Sequence, residues 1–189
     1  KRARKHKQQI HFLPPYRPEN KMKLSEWLGI QVKGLCSLVS IPLVKAVVSL
    51  AAIKGPEEIE EMEKAVNISR DMHVAAMEYA KPGMTEAQVT GKVHGIAVSG
   101  GGNLAYPIIL TVNGQTLHNH YHGNVLKKGQ LVLGDFGAET AMHYAGDITR
   151  TFPVAKKFTA QQKEIYQLVL DANVQCIKAS KAGILYKDV

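Results

Sequence analysis

Two aspartates and a short run of histidines are the residues here whose types and spacing could do chemistry. Asp135 and Asp147 each sit in a strand-like stretch, Leu131–Phe136 and 145–149. Aspartate is depleted in strands, because its carboxylate competes for backbone hydrogen bonds and fits a half-buried surface poorly. A turn over 139–142 would fold the two stretches into a hairpin and set the aspartates opposite each other, with Cβ atoms about 4.5–5.5 Å apart. Carboxylates that close repel unless positive charge lies between them. A pair of divalent ions about 3.5–4 Å apart would satisfy both and activate a water. The residues alone are equally compatible with two exposed turn or edge-strand aspartates.

His118, His120 and His122 alternate, which places all three on one face of a strand. Three readings follow: a self-contained His-x-His-x-His zinc site, one histidine serving as hydrogen-bond donor or general acid, or a partly exposed strand that tolerates them. His143 falls in the proposed turn and faces solvent, whereas His73 and His94 sit on helices as structural residues. Alternation puts Thr149 and Thr151 on the face of Asp147, so Thr149 could support a metal-held oxygen. Arg150, on the other face, would orient scaffold carboxylates.

The elements that must position these groups are legible from caps and periodicity. Pro56 with four glutamates behind it opens a helix to about Ala80, ended by Lys81, Pro82 and Gly83. Thr85 with Gln88, and Thr159 with Gln162, are capping-box patterns; the first predicts a helix to about Ser99, the second an amphipathic helix through Ile165, Leu168, Val169, Ala172 and Cys176. Between them, strands are expected at 108–112, Leu131–Phe136 and 148–154. Helix, helix, several antiparallel strands, helix is an α+β arrangement, because no βαβ alternation occurs. Gly100, Gly101 and Gly102 lack the Lys-Ser/Thr and the preceding strand of a phosphate loop.

Composition narrows the partners. The chain has 189 residues and a formal charge of +8, with 45% hydrophobic residues, an ordinary globular balance. Residues 1–54 hold 11 Lys/Arg against 2 Asp/Glu, and residues 55–189 hold 13 against 14, so the whole excess lies in the first quarter. The basic run 1–7 has no interleaved aromatics and reads as a solvated tail rather than a nucleic-acid contact. Cys36 and Cys176 are too few and too far apart for a disulfide scaffold, which favours a reducing, cytoplasmic setting. No signal peptide opens the chain. The stretch 35–53 is 19 residues long, but Pro42 and Lys45 interrupt it, so it reads as a buried strand or loop and a short helix rather than a membrane span. Residues 1–29 are polar and proline-punctuated, and the chain begins at Lys1 rather than methionine, as expected for a piece of something longer.

Gly134-Asp135-Phe136-Gly137, followed by Tyr144-Ala145-Gly146-Asp147-Ile148-Thr149-Arg150-Thr151-Phe152-Pro153-Val154, resembles the metal-binding strand pair of the aminopeptidase P / prolidase group of metallopeptidases. The likeness continues through Phe158-Thr159 and residues 162–166. Upstream, Pro56-Glu57-Glu58-Ile59-Glu60 and Lys81-Pro82-Gly83-Met84-Thr85-Glu86 look like the start of that group's catalytic domain. The resemblance runs over roughly 10–189.

It implies the first half of a pseudo-symmetric pita-bread fold: 55–189 as the N-terminal half of the catalytic domain, 1–54 as the tail of a preceding domain plus linker. It also implies two divalent metal ions, most often manganese, with cobalt or zinc as alternatives. Asp135 would ligate one ion and Asp147 would bridge both, and a bridging hydroxide would attack the carbonyl of a bond preceding proline. His118 matches the histidine that contacts substrate near that bond; His120 and His122 have no assigned counterpart. The expected partner is a peptide with proline second, cleaved by a homodimer, with no nucleic acid or membrane involved. A further His and two Glu are required and lie outside these residues, so the isolated 189-residue chain should bind metal weakly and be inactive. The different-class alternative is a non-catalytic pita-bread module that binds peptides or proteins, or an inactive fragment. Methionine-removing aminopeptidases share the fold, but the wording of 147–153 favours the proline-directed branch.

Overall fold

Caps set where the helices begin. Thr85 accepts the Gln88 amide while Gln88 returns the bond to the Thr85 backbone, and Thr159 and Gln162 repeat the pattern. Each box satisfies two of the amides a helix start leaves unpaired. The computed structural model describes residues 8–189, so the basic run 1–7 lies outside the described residues. The chain divides into two compact units, one ending at Gly55 and the other running Pro56–Val189.

The first unit holds helix α1 (Pro18–Leu28), two short 3₁₀ turns (Val32–Gly34 and Cys36–Leu38) and helix α2 (Ile41–Ala52). Helix α1 was not expected from its polar sequence. It starts on a proline in its first turn and ends at Gly29, whose φ of 63° only glycine adopts cheaply. Ser40 caps α2 by accepting the Leu43 amide at 3.3 Å, and a histidine from upstream, His11, bonds the same hydroxyl at 2.7 Å. The stretch 35–53 is thus loop and helix, with no strand. No single helix among the described residues is long and apolar enough to cross a membrane; Val32–Leu38 and Ile41–Ala52 reach that length only together, across a 65° bend.

The second unit contains helices α3 (Pro56–Tyr79) and α4 (Glu86–Ser99), strands β1 (Asn103–Leu104), β2 (Ile109–Thr111), β3 (Leu131–Phe136), β4 (Ala138–Glu139) and β5 (Ile148–Pro153), and helix α5 (Ala160–Ala179). Strands β2, β3 and β5 form an antiparallel sheet in the order β2-β3-β5, and β1 pairs with β4. Met72 and Ala76 of α3, Val89 and Val93 of α4, and Val132, Phe136 and Phe152 of the sheet form one core. Helix α5 differs from the others: none of its residues is buried, and Ile165, Leu168 and Val169 are exposed. Its apolar stripe exists as predicted but meets no core here.

The sheet lies unusually close to α3. A Cβ at Gly137 would fall 1.8 Å from the Gly146 carbonyl oxygen, and one at Gly146 would fall 2.4 Å from Ser69 Oγ and 2.8 Å from the Ala65 carbonyl oxygen. Backbone cannot give way as a side-chain tip can, so only glycine fits at either position. Gly91, on the exposed side of α4, has nothing within 4 Å of its would-be Cβ. Gly146→Ala should therefore lower the unfolding free energy by about 2–3 kcal/mol, as overpacking does. Gly91→Ala should raise it by about 0.5–1 kcal/mol. Urea unfolding of both variants, followed by circular dichroism, measures the two against each other; equal effects would refute the close-approach account.

Candidate active site

Alternation along β3 delivers the first aspartate. Val132, Gly134 and Phe136 are buried on the helix side, so Leu131, Leu133 and Asp135 face the other way and stay half-buried. Asp135 pairs with Ile109 of β2 and with Thr149 of β5. The predicted hairpin forms, with its turn at 140–143 closed by the Thr140 amide on the Tyr144 carbonyl at 2.9 Å. His143 sits in that turn, exposed, with φ 64°. The aspartates are not directly opposite, however. Burial of Val132 against Phe152 and Phe136 against Ile148 fixes the register, and that register sets Thr149 across from Asp135, with Asp147 diagonal to it.

What joins the two carboxylates is a residue sequence reasoning missed. The Tyr106 hydroxyl lies 2.8 Å from Oδ1 of Asp135 and 2.6 Å from Oδ1 of Asp147. Both oxygens therefore lie within hydrogen-bond reach of one atom. Burial, with the carboxylates of Asp147 and Asp135 beside it, pushes the Tyr106 phenol far above its ordinary range, so it stays a proton donor. Nothing about a tyrosine preceding Pro107 signals this role in advance. Tyr106, Pro107, Ile109, His118, His120, Asp135 and Asp147 line a cavity of about 350 Å³.

The histidine run does not form a strand. Residues 117–122 are irregular, His118 has φ 51°, and the Asn119 side chain accepts the Tyr121 amide at 3.0 Å, turning the chain locally. His118 and His120 line the cavity, whereas His122 donates from Nε2 to the Ile108 carbonyl at 3.1 Å. The self-contained three-histidine zinc site is thereby overturned. Among the described residues no group of three or more His, Cys, Asp or Glu is arranged to hold a metal. Thr149 and Arg150 also depart from expectation: they line a separate hollow beside α5, and Arg150 donates to the Thr149 carbonyl at 2.8 Å rather than to a carboxylate.

Helix α3 backs the site. Buried Ser69 donates to the Ala65 carbonyl at 2.7 Å and accepts the Ala138 amide at 2.9 Å. One turn on, His73 Nε2 reaches the carbonyls of Phe136 at 3.2 Å and Ile148 at 2.7 Å, the residues just after Asp135 and Asp147. The His73 ring stacks on Phe136, with centroids 3.9 Å apart. A single imidazole thus ties together the two strand positions adjoining the aspartates. His94, by contrast, is exposed.

Residues 60–189 match the profile of metallopeptidase family M24, and the chain belongs to that family. It is 39% identical to the Xaa-Pro aminopeptidase of Escherichia coli K12 over 69% of this chain and 30% of that protein. It is 30% identical to Xaa-Pro aminopeptidase 3 of Rattus norvegicus over 95% of this chain and 38% of the relative. Among solved structures, zinc-substituted E. coli aminopeptidase P in complex with product superposes with a TM-score of 0.63 and 40% identity, over 66% of this chain and 29% of that one. Prolidase from Pyrococcus furiosus gives a TM-score of 0.65 and 32% identity, over 70% and 40%. The arrangement of helices and sheet is that of the pita-bread fold in part, and the chain spans about 30–40% of the length of these relatives.

Burial lowers the His73 pKa from its ordinary 6.5, although the Phe136 and Ile148 carbonyls oppose the shift. Its other nitrogen, Nδ1, is buried with no partner among the described residues, so a proton there would be stranded. Below about pH 6.5 the unfolded chain takes up a proton at this position that the folded chain refuses. The stability tied to neutral His73 is therefore complete above that pH and declines as the pH falls towards the folded-state value. His73→Phe should lower the melting temperature at pH 7.5, by loss of the two carbonyl bonds. It should also flatten the decline between pH 6.5 and 5. Melting curves at four pH values test both, and an unchanged pH slope would exclude His73 as its source.

Proposed function

We propose that this chain is part of the catalytic domain of a metal-dependent exopeptidase that cleaves the bond between an N-terminal residue and a following proline. The observation that carries this reading is the convergence of Asp135 and Asp147 on one hydroxyl, in a cavity also lined by His118. Membership of a metallopeptidase family supports it, and the intact aspartates speak against a purely binding role.

Two carboxylates from adjoining strand positions fit divalent metal ions as hard oxygen donors, and manganese suits such donors, with cobalt or zinc as alternatives. In this reading Asp135 would hold one ion and Asp147 would be shared by both. Bound there, the ions would supply a polarised carbonyl and a water activated at neutral pH. Two carboxylates are fewer than the ligands a catalytic metal needs, and the resemblance places a further His and two Glu outside these residues. His118, on the cavity wall, is placed to hydrogen-bond the substrate peptide or to pass a proton to the departing amine. Pro107 and Ile109 give the cavity an apolar wall. Tyr106 keeps its proton and holds the carboxylates to a common centre. The assignment of 1–54 to the tail of a preceding domain, a homodimeric assembly and a cytoplasmic location belong to the same proposal.

The test is hydrolysis of Xaa-Pro-containing peptides by the full-length protein with manganese, followed by mass spectrometry. Release of the N-terminal residue is expected, slowed at least about tenfold when alanine replaces the proline. Asp147→Asn should reduce kcat/KM by more than the roughly 100-fold typical of outer-shell changes, and should lower metal content. His118→Ala should reduce kcat about 10²–10⁴-fold with metal content retained. Residues 1–189 alone should show no turnover. Cleavage that ignores the second residue, or that survives Asp147→Asn, would refute the assignment.

A further inference from the structure

Glu86 stands apart from the aspartate pair and is fully buried, with 0% of its surface exposed. Its position in the first turn of α4 marks it, on sequence alone, as an ordinary acidic complement to a helix start. Its contacts say more. Oε1 accepts the Val112 amide at 2.8 Å and the Asn124 side-chain amide at 3.1 Å. Oε2 accepts the Asn124 backbone amide at 3.2 Å and its side-chain amide at 3.0 Å. The backbone adds two bonds, from the Glu86 amide to the Asn124 carbonyl at 3.0 Å and from the Ala87 amide to the His122 carbonyl at 2.9 Å.

Val112 and Asn124 are the two feet of the segment 113–123, which leaves the sheet at the end of β2 and ends before Val125, whose bridge is to Thr85 at the start of α4. Residues 115–123 include no strand or helix. His118 and His120 lie in this irregular stretch and line the cavity with Asp135 and Asp147. The loop has no ladder of its own; between its ends it is tied by the His122 bond to the Ile108 carbonyl and a 3.5 Å bond from the Asn119 side chain to the Thr111 hydroxyl, and both of its ends close on one carboxylate.

We infer that Glu86 is a positioning residue: its carboxylate pins both feet of the 113–123 loop and so sets where His118 and His120 stand relative to the aspartate pair. The inference rests on the peptidase reading for its kinetic consequence, but not for its structural one. Glu86→Gln puts an NH₂ where an acceptor oxygen was, so that a donor meets either Val112 N–H or the Asn124 amide. A shift of about 1 Å in a group that orients substrate costs on the order of a hundredfold. Loss of a purely structural bond would instead lower the melting temperature and leave the turnover of folded molecules alone.

The experiment compares wild type, Glu86→Gln and Asn124→Ala in the full-length, metal-loaded protein. Asn124→Ala deletes only the side-chain amide and serves if the glutamine variant fails to fold. Kinetics on an Xaa-Pro peptide should show kcat reduced about 10–100-fold in Glu86→Gln, and less in Asn124→Ala, with KM little changed. Metal content should stay at the wild-type level. Hydrogen exchange followed by mass spectrometry should show amides of 113–123 exchanging at least about tenfold faster, while Leu131–Phe136 and Ile148–Pro153 keep their protection. Wild-type kcat in either folded variant overturns the inference, as does faster exchange spread equally over the sheet. Should the wild type not cleave Xaa-Pro peptides, the function proposed above fails, and the exchange pattern alone decides for or against Glu86.

Discussion

Repulsion between two carboxylates is the constraint around which this molecule is arranged. Asp135, half-buried, and Asp147, exposed, lie within reach of one phenolic oxygen, and bringing like charges that close opposes folding. Tyr106 offsets part of that cost with a proton held firmly by its surroundings. The rest is met by rigidity. Just after β3 and just before β5, the backbone at Gly137 closes on Gly146 and that at Gly146 closes on α3, contacts that any Cβ would block.

Helix α3 carries the consequence further. Ser69 and His73 are one turn apart on its buried face, and each reaches across to backbone near the aspartates, Ser69 to the Ala138 amide and His73 to the Phe136 and Ile148 carbonyls, rather than to the carboxylates themselves. Helix α4 does the equivalent for the opposite wall of the cavity, through the Glu86 carboxylate and the Glu86 and Ala87 backbone amides, which donate to the Asn124 and His122 carbonyls. The acidic wall and the histidine wall therefore hang on separate helices that pack against each other in one core. Preorganisation here is a property of those helices more than of the residues lining the cavity.

Much of the framework was legible because its signals are local. The capping boxes at Thr85 and Thr159, the proline opening α3 and the alternation of β3 each depend on residues a few positions apart, and all stand where expected. Helix α1 was missed because its apolar residues are sparse, although Pro18 and Gly29 mark its ends. The histidine run misled for a different reason. Alternation specifies a strand only when one face is buried, and neither face of 117–122 is, so a turn at Asn119 prevails. Tyr106, His73 and Glu86 were invisible as site residues because each acts across 26 or more positions of sequence. Only the assembled sheet and helices bring those partners together. The diagonal placement of the aspartates likewise follows from register, which is decided by core pairs such as Val132 and Phe152.

Helix α5 brings a consequence of another kind. It is well capped and ties its first turn to the Gly129 carbonyl through Gln162 at 2.8 Å, yet it buries none of its side chains. Among the described residues the last buried hydrophobic side chain is that of Val154, so this core precedes α5 along the chain. Closure of the core and docking of α5 are therefore separable events, with different cooperativity. Before docking, the helix is held by its caps, the Gln162 bond and the ring contact of Phe158 with Tyr166, and its stripe of Ile165, Leu168 and Val169 is the kind of apolar surface that invites association.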